Sequence, residues 1–290
     1  MDALIEHEPR ARQIALPARG GAMAVLDFGP ADRAVDVVFS HANGFNGRTY
    51  RSILAPLAGS LRILAVDMRG HGGSTLPADP AEHGGWNAFR DDLLALLAAE
   101  ASGPVVLAGH SMGGTSSLLA AAQEPGRVKA LALFDPVIFT PGLTRDPTND
   151  NPLAEGAQRR RAVFPSKAAA VEAYTGRGAF RSWRPEQLAD YVEAGFRDAG
   201  DGEVTLTCAP AWEAANFRTH NYDPWAAFRA TRCPIRILRA ETASTARLDE
   251  GLPELLATGR VSVDVIPGTS HFLPMERPDL VRETLLAVTG

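Results

Sequence analysis

Pro104-Val105-Val106-Leu107-Ala108 runs without a polar side chain into Gly109-His110-Ser111-Met112-Gly113, and on into an Ala- and Leu-rich stretch ending at Gln123. A strand with no polar alternation must be covered on both faces. That calls for a parallel sheet with helices above and below it. The rest of the chain reads the same way. Val35–Phe39, Leu61–Val66, Lys129–Phe134, Pro234–Leu238 and Val261–Ile266 are short apolar or β-branched runs. Helix-like stretches alternate with them: Thr49–Leu57, Trp86–Glu100, Met112–Gln123, a segment near Leu248–Thr258, and Asp279–Val288. In the second of these, Phe89, Leu93, Leu96 and Leu97 share one face at helical spacing. Arg12–Leu16 and Ala22–Phe28 suggest a leading antiparallel hairpin around Gly20-Gly21. The expectation is an α/β fold: a mostly parallel sheet of about eight strands with helices on both faces.

The alternation breaks after Val137. From about Ile138 to Arg229 the chain is rich in Pro, Gly, Arg and aromatic residues, with short helical pieces at Lys167–Tyr174 and Pro185–Phe196. The simplest organisation is a core of residues 1–137 and 230–290 interrupted by a helical cap over 138–229. A chain of 290 residues with 45% apolar and 22% charged side chains can build a large core without metal or disulfide staples. The net charge of −5 disfavours nucleic acid as a partner. Cys208 and Cys233 are too few for a disulfide framework or a zinc site, and read as reduced thiols of a cytoplasmic protein. Met1–Arg12 has no apolar core of a signal peptide. The longest uncharged stretch, Ala101–Gln123, reads as strand, turn and helix rather than as a membrane span.

The turn at Gly109–Gly113 carries chemistry. A chain passing sharply from strand to helix strains the residue between them, and side chains at Gly109 and Gly113 would strike neighbouring backbone. The turn lifts the Ser111 hydroxyl to the carboxyl edge of the sheet, at the positive end of the following helix. A hydroxyl is a poor nucleophile near neutral pH and needs a base. His271, in the loop beyond Val261–Ile266, falls on the same edge. Among the other histidines, His110 points into the fold and His71 reads as loop packing. His7, His83 and His220 have no supporting context. Acyl transfer also needs two backbone N–H groups on the developing oxyanion. Met112, next to Ser111, supplies one, and Asn43 in His41-Ala42-Asn43-Gly44-Phe45 is the expected second. No His-Glu-x-x-His pattern and no Gly-Lys-Ser/Thr phosphate loop occurs, so metal-dependent hydrolysis is not expected.

With these motifs in hand, the chain resembles the α/β-hydrolase superfamily over about Arg12–Pro136 and Pro234–Gly290. Four stretches carry the resemblance: His41-Ala42-Asn43-Gly44, Asp67-Met68-Arg69-Gly70-His71-Gly72, Gly109–Gly113, and the His271 loop ending Pro274-Met275-Glu276-Arg277-Pro278. The resemblance implies cleavage of an ester or related acyl bond through Ser111 without a cofactor. Dehalogenases and epoxide hydrolases of this fold carry an aspartate where Ser111 stands. Much of the superfamily places the triad acid a few residues after the strand that follows the cap. Here Leu238-Arg239-Ala240-Glu241-Thr242-Ala243-Ser244 puts Ala243 at that place. Some members carry the acid at the end of the strand beside the nucleophile strand, which here is Asp135. Glu241 is the alternative. A carboxylate ending a buried strand needs a partner, and that favours Asp135.

The sequence reading is therefore a serine hydrolase of a small or medium carboxylic ester or lactone, with a small-molecule ester or acyl substrate as its partner. Ser111, His271 and Asp135 form the triad, and Asn43 and Met112 hold the oxyanion. His41, Gly44, His110 and Trp212 are the candidates for substrate binding. Cleavage of C–C or amide bonds, acyl transfer or perhydrolysis with the same triad is the alternative chemistry. A catalytically inactive receptor of the same fold is the alternative of another class. The cap aromatics Phe164, Tyr174, Phe180, Trp183, Tyr191, Phe196, Trp212, Phe217, Tyr222 and Trp225 are expected mostly to pack the cap on the core. Arg159-Arg160-Arg161 is expected to be a solvated helix face.

Overall fold

The computed structural model describes residues 8–140, 151–219 and 221–290. His7 and His220 lie outside the described residues. A leading hairpin, β1 (Arg10–Leu16) and β2 (Gly21–Phe28), is followed by β3 (Val37–Ser40), the short helix α1 (Arg51–Leu54) and β4 (Ile63–Val66). Then come α2 (Asn87–Glu100), β5 (Val105–His110), α3 (Met112–Gln123) and β6 (Val128–Phe134). The chain leaves the sheet through α4 (Pro152–Gln158), β7 (Val163–Phe164), α5 (Lys167–Tyr174), α6 (Pro185–Gly195), β8 (Phe196–Gly200), β9 (Glu203–Leu206), α7 (Pro210–Arg218) and α8 (Pro224–Ala230). It returns as β10 (Ile235–Ala240), α9 (Leu252–Ala257), β11 (Val261–Ile266), α10 (Leu273–Glu276) and α11 (Pro278–Thr289).

The main sheet has eight strands in the order β1-β2-β4-β3-β5-β6-β10-β11. The hairpin is antiparallel, β2 joins β4 antiparallel, and every later pairing is parallel. The uniform apolar strands are buried on both faces as their composition requires. Val105 and Leu107 pack into one cluster with Leu93 and Leu118, while Val106 and Ala108 pack into another with Ile53, Leu54, Val281 and Leu285. The two clusters are the two sides of the sheet. No helix among the described residues is long and apolar enough to cross a membrane.

Two local expectations change. Thr49–Leu57 is not one helix: it breaks into 3-10 turns at Gly47–Tyr50 and Ala55–Leu57 around α1. Pro56 removes a donor and clashes with the preceding turn, so a continuous helix cannot pass it. The segment between β6 and β10 is also not purely helical. β7, β9 and β8 form a small antiparallel sheet, turned at Asp201-Gly202.

The parallel register brings the ends of the central strands to one edge. Ser40 pairs with Gly109, and His110 with Phe134. The close approach of α3 to β3 depends on Gly113, because a Cβ there would stand 2.2 Å from the Ser40 carbonyl oxygen. That neighbour is backbone and cannot rotate away. Gly113→Ala is therefore expected to cost about 3 kcal/mol or more, the upper end of overpacking. Urea unfolding tests this, and a midpoint equal to that of the parent chain would contradict it.

Candidate active site

Ser111 and Asp135 each follow directly on a paired strand of that edge. The Ser111 N–H donates to Phe134 O at 3.1 Å, and the Asp135 N–H to Leu238 O at 2.8 Å. Both residues sit at positive φ, 55° for Ser111 and 44° for Asp135, which non-glycine residues rarely adopt. His271 lies in the loop between β11 and α10. Its Nε2 is 3.1 Å from Ser111 Oγ, and its Nδ1 is 2.6 Å from Asp135 Oδ2. Behind it, His110 Nε2 donates to the His271 carbonyl at 2.7 Å.

Asp135 is completely buried. Its Oδ1 accepts from the Ala240 N–H and the Ser244 hydroxyl, and its Oδ2 accepts from the Thr245 N–H as well as from His271. Burial pushes the carboxyl up, but the His271 contact, Ser244 and Thr245 outweigh it and hold the group below the usual carboxylate range. Glu241, the alternative acid, is turned elsewhere: its Oε2 accepts from the Gly268 N–H at 2.9 Å. Ala243 stands at φ 50°, in the bend that carries Ser244 and Thr245 onto Asp135. The loop after β10 thus supplies donors to a carboxylate rather than the carboxylate itself. Sequence reasoning overlooked Ser244 and Thr245, although two hydroxyl residues beside Ala243 were a visible signal.

Among residues 42–45 of the loop after β3, three amides are engaged within the described residues. The Ala42 N–H donates to Tyr50 Oη, the Gly44 N–H to His71 Nε2, and the Phe45 N–H to Ala42 O. The Asn43 N–H meets no acceptor among the described residues, and neither does that of Met112, the first residue of α3. The Asn43 side chain is occupied, its Nδ2 donating to Glu213 O and its Oδ1 accepting from Asn216 Nδ2.

The remaining candidates are held by the fold. His41 Nε2 accepts from the Met68 N–H, while its Nδ1 donates to Ala42 O. Gly44, at φ 75°, lies against the Glu213 carboxylate. The Trp212 indole N–H donates to Arg69 O and its ring packs on His83 and Phe89, so it keeps no free polar atom. Phe45 and Phe272, one in the loop after β3 and the other next to His271, stack at 6.3 Å, with Trp183 edge-on to both. Arg160 corrects the expectation of a solvated face. Its guanidinium is largely buried, pairs with Glu213 at 2.8 Å and reaches the hydroxyls of Tyr174 and Tyr191. Nothing in an Arg-Arg-Arg run tells which member turns inward. Among the described residues, no three His, Cys, Asp or Glu side chains are grouped as metal ligands.

An eight-stranded, mostly parallel sheet with its strand-to-helix serine turn at the carboxyl edge defines the α/β-hydrolase superfamily. The alpha/beta hydrolase family model matches residues 37–284, and the chain belongs to that family. The 2-(acetamidomethylene)succinate hydrolase of Mesorhizobium japonicum is 28% identical over 88% of this chain and 86% of its own length. A crystal structure of E-2-(acetamidomethylene)succinate hydrolase aligns with a TM-score of 0.78 and 25% identity, over 97% of this chain and 98% of that one. The pimeloyl-(acyl-carrier protein) methyl ester esterase of Chromobacterium violaceum is 37% identical over 39% of this chain and 40% of its own. These relatives are hydrolases.

Three histidines around the site are fully buried, and their partners fix them as neutral. His41 and His71 each accept a backbone N–H, and His110 Nδ1 accepts from the Tyr50 hydroxyl, which itself takes the Ala42 N–H. Burial pushes His71 down to about 4 and His110 down to about 3. It drives His41 well below the ordinary value, with His71 adding to the effect. Each folded-state pKa lies below that of the unfolded chain, about 6.5. As pH falls below that value the unfolded state binds protons first, so stability is lost progressively toward the folded-state pKa. Between pH 7 and 5, His71 and His110 are each expected to remove about 2 kcal/mol, and His41 acts in the same direction. Chemical denaturation at pH 7, 6 and 5 reads this directly, and an unchanged stability would contradict it.

Proposed function

We propose that the protein is a cofactor-independent serine hydrolase acting on a small or medium carboxylic ester or lactone. The observation that carries this reading is His271, bridged between Ser111 Oγ at 3.1 Å and the buried Asp135 carboxylate at 2.6 Å. His271 Nε2 takes the proton as Ser111 Oγ attacks the acyl carbon, then returns it to the leaving alkoxide. The resulting acyl-enzyme is hydrolysed by a water that His271 activates in the same way. Asp135 fixes the tautomer with the proton on Nδ1 and stabilises the imidazolium that forms. The N–H groups of Asn43 and Met112 receive the oxyanion, at the N-terminus of α3 where the helix field adds to them. The amides flanking Asn43 are spent on Tyr50 and His71, which supports Asn43 as the donor of that loop.

A second reading keeps the same residues and changes the bond. The name of the Mesorhizobium japonicum relative describes an acetamido group on a succinate skeleton, which favours amide-type acyl cleavage beside ester cleavage. A panel of esters of varied acyl length, lactones and amides separates the two. A catalytically inactive receptor of this fold would cleave none of them.

A fluorophosphonate probe is expected to label the protein at Ser111, and Ser111→Ala to abolish both label and turnover. Turnover surviving in clean Ser111→Ala protein would refute the serine mechanism. Asp135→Asn is expected to lower kcat by about 10⁴, because the imidazole then takes the wrong tautomer. Glu241→Gln should stay within roughly tenfold of the parent, since among the described residues its carboxylate accepts from the Gly268 amide and not from His271. A reversed order of these two losses would move the acid to Glu241.

A further inference from the structure

We propose that Asn216, on α7, is a positioning residue that holds the Asn43 amide in place for the oxyanion. This rests on the serine-hydrolase reading of the site. Four hydrogen bonds form a chain from the loop before α2 to the loop after β3. The Gly85 N–H donates to His83 Nδ1 at 3.1 Å, and His83 Nε2 bonds Asn216 Oδ1 at 2.6 Å. Asn216 Nδ2 donates to Asn43 Oδ1 at 2.8 Å, and Asn43 Nδ2 donates to Glu213 O at 3.0 Å.

The direction of every link is fixed by the ends. Glu213 O is a backbone carbonyl and can only accept, so Asn43 must turn its NH₂ toward it and its Oδ1 toward Asn216. Gly85 N–H can only donate, so His83 Nδ1 must be bare and Nε2 must carry the proton. Asn216 then has one orientation: oxygen to His83, nitrogen to Asn43. Asn216 is fully buried, and its own carbonyl takes the Trp86 indole N–H at 3.0 Å, which ties this end of α7 to the start of α2.

The Asn43 side chain is thereby clamped from two sides by α7, through Asn216 Nδ2 and Glu213 O. A side chain held at both its polar atoms fixes the χ angles and the peptide that carries them. The Asn43 N–H is the one amide of residues 42–45 left without an acceptor among the described residues. The inserted segment therefore sets the aim of a backbone donor that belongs to the core.

Asn216→Asp and Asn216→Leu test this. The first is isosteric, keeps an acceptor for His83 and puts an oxygen against Asn43 Oδ1. The second removes both bonds. Each folded variant is assayed on p-nitrophenyl acetate, for labelling rate by a fluorophosphonate, and for inhibition by a trifluoromethyl ketone. Both reagents place an oxyanion where the substrate would. The expected result is a kcat lower by roughly tenfold to a hundredfold with KM within about threefold, and the two inhibitors weakened in proportion to kcat. A residue that only supported the fold would lower the folded fraction and leave these constants of the folded protein unchanged. If Asn216→Leu does not fold, Asn216→Asp carries the test. Parent-like kcat and labelling rates in a folded variant overturn the proposal while leaving the hydrolase reading standing. A parent chain that is not labelled at Ser111 overturns both.

Discussion

The site is organised around one charge that has no access to water. Asp135 closes β6 inside the sheet edge at zero exposure. An unpaired carboxylate there would cost several kcal/mol, so the surrounding chain must bring donors to it. Ala240 N–H, the Ser244 hydroxyl, Thr245 N–H and His271 Nδ1 converge on its two oxygens. Ala240 ends β10, Ser244 and Thr245 belong to the loop after it, and His271 belongs to the loop after β11. The carboxylate thus fixes the two loops relative to each other and to the turn that carries Ser111. The positive φ of Ala243 fits this account. Its strain is repaid where the next two residues reach Asp135.

A second constraint works through neutral imidazoles. His41 leaves the loop after β3 and accepts from Met68 after β4, and His71 leaves the loop after β4 and accepts from Gly44 after β3. The two rings meet edge to face at 4.8 Å. The two loops are therefore cross-braced by side chains whose polarity is set by backbone amides. His110 adds a third brace from β5, between Tyr50 and the His271 carbonyl. These histidines are spent on the scaffold. His271 differs because its ring bridges the Ser111 hydroxyl and the Asp135 carboxylate.

Much of this was legible in the chain. The central strands lack polar alternation, and only burial between helix layers suits them, so the sheet and the Ser111 turn follow from composition and glycine spacing. The electrostatic argument that a carboxylate ending a buried strand needs a partner picks Asp135 over Glu241, and the two carboxylates do stand on His271 and on the Gly268 amide respectively. What escaped the sequence lies in the segment between β6 and β10. Its contacts join residues far apart in the chain, such as Asn216 with Asn43 and His83, and no period or motif encodes them. Arg160 escaped for the same reason: neighbours in an arginine run differ only in which way the backbone turns them.

Within the inserted segment, a charge pair ties α7 to the end of α4. Arg160 follows α4, and its guanidinium is neutralised by Glu213 of α7, with the Tyr174 and Tyr191 hydroxyls beside it. The same Glu213 gives its backbone carbonyl to Asn43 and rests its carboxylate on Gly44, where a Cβ would stand 2.5 Å from Oε1. Glycine at 44 is what lets α7 come this close. Lifting α7 from the core would part Asn43 from Glu213 and Asn216 at once, and would pull Glu213 away from Gly44. If α7 moved without Arg160, a largely buried charge would be left unpaired, a loss of about 3–5 kcal/mol. What seats this helix over the loop after β3 is the pair of bonds from Glu213 and Asn216 to Asn43, together with the close approach to Gly44.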